Sequence, residues 1–236
     1  MLILWPVGLS LRSPARPNAP VATILVGLAF VLRFAELGSA TWTPRALTAL
    51  IPWLRLYPDP GTDLFGVWQL WTSCLLHDDI WQVLLAGLGM ATVGAALERQ
   101  IGSGSFALFL AATVPLSPVV SVLAGVHSPA MGLIPAVVAC AGALLILAPT
   151  AHLRLRLWWW AVVAMGRSTL RLALLWWVTG LILAEMLRLS ARPIGSGLDS
   201  VAPGFLPLYA AGLVLCLTAG QLFGRSGLRT VAGHAP

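Results

Sequence analysis

Ser128, with His127 beside it, is the nearest thing in the chain to a nucleophile paired with a base. A hydroxyl attacks a carbonyl only when a base is aimed at its proton and donors wait where the oxyanion forms. Neighbours in sequence do not aim at one another, and Ser128 before Pro129 reads more plainly as a helix start. His77, Asp78 and Asp79 carry ligand chemistry, but no second His stands at helical spacing, so a solvated span opening is expected and no metal. Cys74, Cys140 and Cys216 are odd in number and lack CxxC spacing, which gives neither a metal site nor a disulfide framework. No cofactor is expected. Arg33 with Glu36, and Glu185 with Arg188, stand at i, i+3 and predict self-neutralised pairs near the ends of spans. Intramembrane charge can otherwise mark a partner-binding face.

The elements that must position these groups follow from composition. Of 236 residues 58% are hydrophobic and 9% charged, against roughly a quarter charged in a soluble domain. A soluble globule is excluded and a polytopic membrane protein is implied. All 14 basic residues are Arg, against 8 acidic residues, and they lie singly or in pairs between apolar runs. That pattern argues for membrane orientation and against nucleic acid as a partner. Met1 to Leu11 is apolar, but no basic residue precedes it and no cleavage pattern follows, so it is not read as a signal peptide.

Apolar runs long enough to cross ~30 Å of hydrocarbon as helix lie at roughly Val21 to Leu37, Leu76 to Leu97, Phe106 to Gly125, Pro129 to Leu147, Leu170 to Leu187 and Phe205 to Phe223. The fold expected is all-α, a six-span membrane domain over 21–224 with a long outer loop at about 38–71. An amino-terminal segment (1–20) and a carboxy-terminal tail (225–236) flank it. Nine arginines fall on the side of both termini and four on the other, with Arg33 inside a span, which predicts cytoplasmic termini; the plasma (inner) membrane is the expected location. Trp158 to Gly166, with Arg154, Arg156 and Arg167 around it, is expected as an interfacial helix, with the start of a longer fifth span as the alternative.

Four stretches, taken in order, resemble the rhomboid intramembrane protease superfamily. Trp68-Gln69-Leu70-Trp71-Thr72, then Leu75-Leu76-His77, is similar to the family's Trp-Arg-x-x-Thr loop and Leu-x-His span opening, with Gln69 where Arg is usual. Gly94, Glu98, Gly102 and Ser103 match GxxxExxxGS, 17 residues after His77. Pro129-Ala130-Met131-Gly132 stands where GxSG belongs, and Tyr209-Ala210-Ala211-Gly212 where HxxG belongs. The resemblance covers about Gly66 to Gly220 and implies a rhomboid-like bundle, with Gly94, Glu98, Gly102, Gly132 and Gly212 as its structural residues.

What the resemblance implies for chemistry is loss. Met131 occupies the nucleophile position, and a thioether has no proton to surrender. Tyr209 occupies the base position, where a phenol of unperturbed pKa ~10 accepts protons poorly near neutrality. Gln82 and Ala86 stand where the family places a His and an Asn on one helix face of the second span. The function expected is that of a pseudoprotease, which binds the transmembrane helix of a client or partner and alters its stability or assembly without cutting it. Trp68, Trp71, His77, Trp176 and Trp177 are the candidate partner-binding residues, and membrane lipids the other partner. Two alternatives remain open: a divergent protease working through Ser128 and His127, and a subunit of a transport or lipid-handling complex, the last disfavoured by few polar groups at midplane.

Overall fold

The computed structural model describes residues 2–10, 18–38, 50, 51, 53, 54, 66–77, 80–123, 132–147, 152–159, 162–169 and 205–232, with backbone alone for 2–10, 121–122, 152–159, 162–169, 205–210 and 226–232. Among these residues the bundle expected from the apolar runs is present. The first span is α1 (Pro20–Leu37). A short loop helix α2 (Gln69–Thr72) and a 3-10 turn (Ser73–Leu75) lead to the second span. That span consists of α3 (Ile80–Gly89), a π-helical turn (Met90–Gly94) and α4 (Ala95–Ile101). The third is α5 (Ser103–Thr113) followed by α6 (Leu116–Leu123), the fourth is α7 (Ile134–Leu147), and the last is α8 (Phe205–Ala232). The expected fifth span, Leu170 to Leu187, lies outside the described residues, as do Glu185 and Arg188.

Among the described residues three helical stretches, Pro20–Leu37, Ile80–Ile101 and Ser103–Val120, are long and apolar enough to cross a membrane, and Ile134–Leu147 is apolar but shorter. The outer helices expose Ile24, Val31, Phe34, Trp81 and Leu108, side chains that hydrocarbon solvates and water would not. The core is α7, in which every residue from Ile134 to Leu144 is buried. At 14 residues its rise is only about 21 Å. Gly132, with φ +59, cannot join a right-handed helix, so α7 begins after it, several residues later than the expected start at Pro129.

Helix α8 reaches this core through small residues one turn apart. Gly212, Cys216, Gly220 and Gly224 are all buried. A Cβ at Gly220 would fall on the Ala139 carbonyl oxygen, one at Gly224 would lie 3.0 Å from the Ala143 carbonyl oxygen, and one at Gly142 would fall on that of Leu217. The two backbones are therefore in contact, which in a bilayer supplies the packing that water supplies elsewhere. Arg33 Nη1 donates to Glu36 Oε2 at 2.9 Å with both side chains largely buried, the self-neutralised pair that the i, i+3 spacing predicts.

A sheet joins the bundle that the sequence reading does not contain. Strands β1 (Leu2–Ser10), β2 (His152–Trp159) and β3 (Val162–Thr169) form an antiparallel sheet in the order β1-β2-β3. The segment expected as an interfacial helix is thus drawn into two paired strands. Leu153-Arg154-Leu155-Arg156-Leu157 alternates apolar and charged residues with a period of two, a strand signal that outweighs the preference of Trp for the interface. Pro6 fits because β1 is an edge strand and the register shifts between Pro6 and Gly8.

Candidate functional site

One end of the site is built on one carboxylate. Helix α1 starts at Pro20, which has no N–H, after Ala19, which has no side chain to cap it. Its free N–H groups are satisfied from another helix. Val21 N–H donates to Glu98 Oε1 at 3.0 Å and Ala22 N–H to Glu98 Oε2 at 2.8 Å. The Ser103 hydroxyl donates to Oε1 at 2.7 Å. A buried anion at a helix amino terminus also meets the positive end of the helix dipole. The other residues of the motif serve this junction: Met90 Sδ occupies the space a Cβ at Gly94 would take, and Gly102 turns the chain at φ 84 so that Ser103 can return to Glu98.

The other end is pinned by His77. Its side chain is 1% exposed, so the solvated opening expected for His77 is corrected to a buried one. Leu133 N–H, free because it precedes the first turn of α7, donates to His77 Nε2 at 3.2 Å. Nε2 therefore accepts, Nδ1 carries the proton, and it donates to the Leu75 carbonyl at 3.2 Å. The ring fills the space where a Cβ at Gly132 would be. His77 thus fastens the span-opening loop to the head of the central helix, and a side chain committed in this way offers no face to a partner. His77→Ala leaves the Leu133 N–H without its acceptor, and we expect a loss of about 1–3 kcal/mol, read as a lower unfolding midpoint in detergent.

The loop before His77 is latched by side chains. Trp68 Nε1 and Gln69 Nε2 both donate to the Trp53 carbonyl at 3.3 Å, and Thr72 Oγ1 to the Leu54 carbonyl at 3.0 Å. Gln69, standing where Arg is usual, retains a donor for this contact. Trp71 Nε1 donates to the Ala111 carbonyl at 2.8 Å. That carbonyl is the one a residue at 115 would bond in a continuous helix, and Pro115 has no N–H to offer it. The indole thereby satisfies a backbone acceptor that hydrocarbon could not. Trp71→Phe keeps an aromatic ring, smaller than the indole, and removes the donor, so we expect about 1–3 kcal/mol of destabilisation, with Trp68→Phe, at a carbonyl shared with Gln69, costing less.

Residues 65–194, more than half of the chain, match the Rhomboid domain. The chain belongs to the rhomboid family. No curated protein matches it. The protein is an integral membrane protein with the rhomboid helical bundle, in a family that includes intramembrane serine proteases.

In this rhomboid, Gln82 and Ala86 lie one turn apart on α3, Gln82 buried at 7% exposure and Ala86 at 0%. Tyr209 lies in the first turns of α8, on the face of Gly212 and Cys216 by spacing. Gly212 packs on α6, where a Cβ would lie 2.7 Å from Ser117 Oγ. Cys216 Sγ donates to the Thr113 carbonyl at 3.7 Å on the adjoining turn. Met131, Ser128, His127, Trp176 and Trp177 fall outside the described residues. Of the candidate partner-binding residues, Trp68 and Trp71 are exposed, at 55% and 39%. The sequence reading missed the backbone halves of these junctions: the Val21 and Ala22 amides, the Leu133 amide and the Ala111 carbonyl. Two signals were available, an uncapped Pro20 start beside a lone acidic residue in an apolar chain, and a proline at 115.

Proposed function

We propose that this rhomboid is a pseudoprotease that binds a transmembrane helix of a client or partner and influences its stability or assembly without cleaving it. The observation that carries the reading is the contrast between frame and chemistry. The Glu98 junction and the His77 fastening of the α7 head are fully made, while Ala86, buried where the family has a hydrogen-bonding Asn, has no polar atom. One missing oxyanion donor alone lowers rate by about 10² to 10³. With Met131 for the nucleophile and Tyr209 for the base, the covalent route has no starting group.

The partner is a membrane protein, received at the outer loop where Trp68 and Trp71 are exposed, and the site takes no cofactor and no metal. The protein resides in the plasma (inner) membrane, and the arginine distribution favours both termini in the cytoplasm. Affinity purification from native membranes is expected to bring down one membrane protein reproducibly, with recovery reduced by Trp68→Ala and Trp71→Ala. Recovery of the rhomboid alone in repeated purifications would refute the reading. Met131→Ser combined with Tyr209→His is expected to yield no cleavage of transmembrane substrates, because Gln82 and Ala86 remain. Cleavage by that double variant would mean that the rest of the catalytic site is preformed.

A further inference from the structure

The first span carries an ion pair that is balanced in charge but incomplete in hydrogen bonds. Arg33 Nη1 donates to Glu36 Oε2 at 2.9 Å, and the two side chains are 15% and 10% exposed. Arg33 Nε is buried and has no acceptor among the described residues. A guanidinium carries five N–H donors in a fixed fork, and a donor left unmet is costly within a bilayer, where no solvent stands in for the missing acceptor. The i, i+3 spacing thus settles the charge of the pair and leaves part of the Arg33 donor edge unmet. An ionisable group kept inside a span in this state points to a binding role.

The place of Arg33 on α1 decides what meets it. Leu32 and Ala35 are buried, whereas Val31, Phe34 and Leu37 are exposed. Arg33 therefore lies on the flank where the packed face of the helix turns into the face open to the bilayer. Leu32 and Ala35 pack with Ile51 and Leu76, and Leu54 lies against them. Trp53 and Leu54 supply the carbonyls to which Trp68, Gln69 and Thr72 are latched. The pair thus adjoins the loop whose exposed tryptophans are assigned to the partner.

The charge of the pair selects the acceptor. Glu36 already balances Arg33, so a phosphate or a second carboxylate would leave a net negative charge in a medium of low dielectric constant, at a large penalty. A carboxamide oxygen accepts from the guanidinium edge and adds no charge. Asn and Gln bring that group into a membrane helix, where they hydrogen-bond between helices. We infer that Arg33, held in place by Glu36, receives an Asn or Gln side chain on the transmembrane helix of the partner. The inference rests on the proposed binding of a partner helix and adds what that helix must carry.

The test places the full chain, labelled at its carboxy terminus with a fluorescent donor, in phosphatidylcholine liposomes. Acceptor-labelled single-span Leu-Ala peptides are added at low density, differing only in one residue, Asn, Leu or Asp, four residues from an end of the apolar stretch. Association is read by energy transfer. The wild type is expected to bind the Asn peptide about threefold to tenfold more tightly than the Leu peptide, and more tightly than the Asp peptide. R33M/E36M removes the donor without changing net charge and should bind the Asn and Leu peptides alike. Glu36→Gln leaves the Arg33 charge unbalanced and should turn the preference from Asn to Asp, which decides the matter if the double variant does not fold. Equal binding of the Asn and Leu peptides by the wild type overturns the inference, as does an Asn preference that survives R33M/E36M or is unaltered in Glu36→Gln. A preference abolished by added phosphatidylglycerol also overturns it and assigns Arg33 to lipid phosphate. The reading beneath fails separately: a native partner recovered through Trp68 and Trp71 keeps that reading even when the peptides bind alike, whereas an Asn preference with no native partner keeps the Arg33 site and refutes the reading.

Discussion

Glu98→Ala is expected to lower stability by about 3–5 kcal/mol, since each buried donor left without its acceptor costs about 1–3 kcal/mol. Three donors lose their acceptor together: the Val21 and Ala22 amides and the Ser103 hydroxyl. The two amides belong to the first turn of α1, where Pro20 and Ala19 provide no substitute. At about 2–4 °C of midpoint per kcal/mol for a chain of this size, the loss amounts to roughly 6–20 °C in a detergent melt. Glu98→Gln keeps one carbonyl oxygen but sets an NH2 group against a donor, and should fall between Ala and wild type. Ser103→Ala removes one hydroxyl bond and should lose only about 1 kcal/mol. Equal melting of Glu98→Ala and wild type would mean that the carboxylate does not hold the first span.

Gly220→Ala is expected to be damaging out of proportion to the single methyl it adds. The added methyl would fall on the Ala139 carbonyl oxygen and lie 3.0 Å from the Ala143 amide nitrogen. Neither can rotate aside, because both are backbone of the buried central helix. Helix α8 must move off α7 along a line that includes Gly142 and Gly224, so the contact is lost over several turns. Overpacking of a filled core typically loses about 1–3 kcal/mol, and backbone that cannot yield puts this site at the upper end. Gly220→Leu should abolish accumulation of folded protein. Gly27→Ala is the control: nothing lies within 4 Å of its Cβ position, and relief of glycine's backbone freedom in a helix should add roughly 0.5–1 kcal/mol. A rise for Gly27→Ala with a fall for Gly220→Ala, read by the same melts, separates helix contact from helix propensity.

Much of this arrangement was legible in the residues because membrane helices announce themselves by length and apolarity. The limits of α1 and of the second span agree with the apolar runs to within a few residues, and the Arg33–Glu36 pair follows from its spacing. The motif around Glu98 fixed which residues meet, but not what they hold. A carboxylate that caps a helix 76 residues away is a tertiary contact, and no local pattern contains it. His77 was misjudged for the same reason: two aspartates beside it suggested water, whereas burial was decided by Gly132 and Leu133, just ahead of a different helix. The sheet was lost to a competing signal, three consecutive tryptophans drawing attention from the two-residue alternation just before them. The site itself divides along the same line. Residues defined by absence, such as Ala86, are as plain in sequence as in structure, whereas fasteners made from backbone amides are visible only in the fold.

The central claim is that this rhomboid binds a transmembrane helix without hydrolysing it. The most direct measurement reconstitutes the purified full-length protein in liposomes with a panel of single-span substrates and follows their intact masses over hours, beside an active rhomboid protease in the same lipid. No product should form above the protein-free control, no serine-reactive fluorophosphonate should label the protein, and substrate helices should nonetheless be recovered with it after solubilisation. Cleavage within a transmembrane segment by the wild type, lost in Ser128→Ala or His127→Ala, would contradict the account and restore this protein to the enzymes of its family.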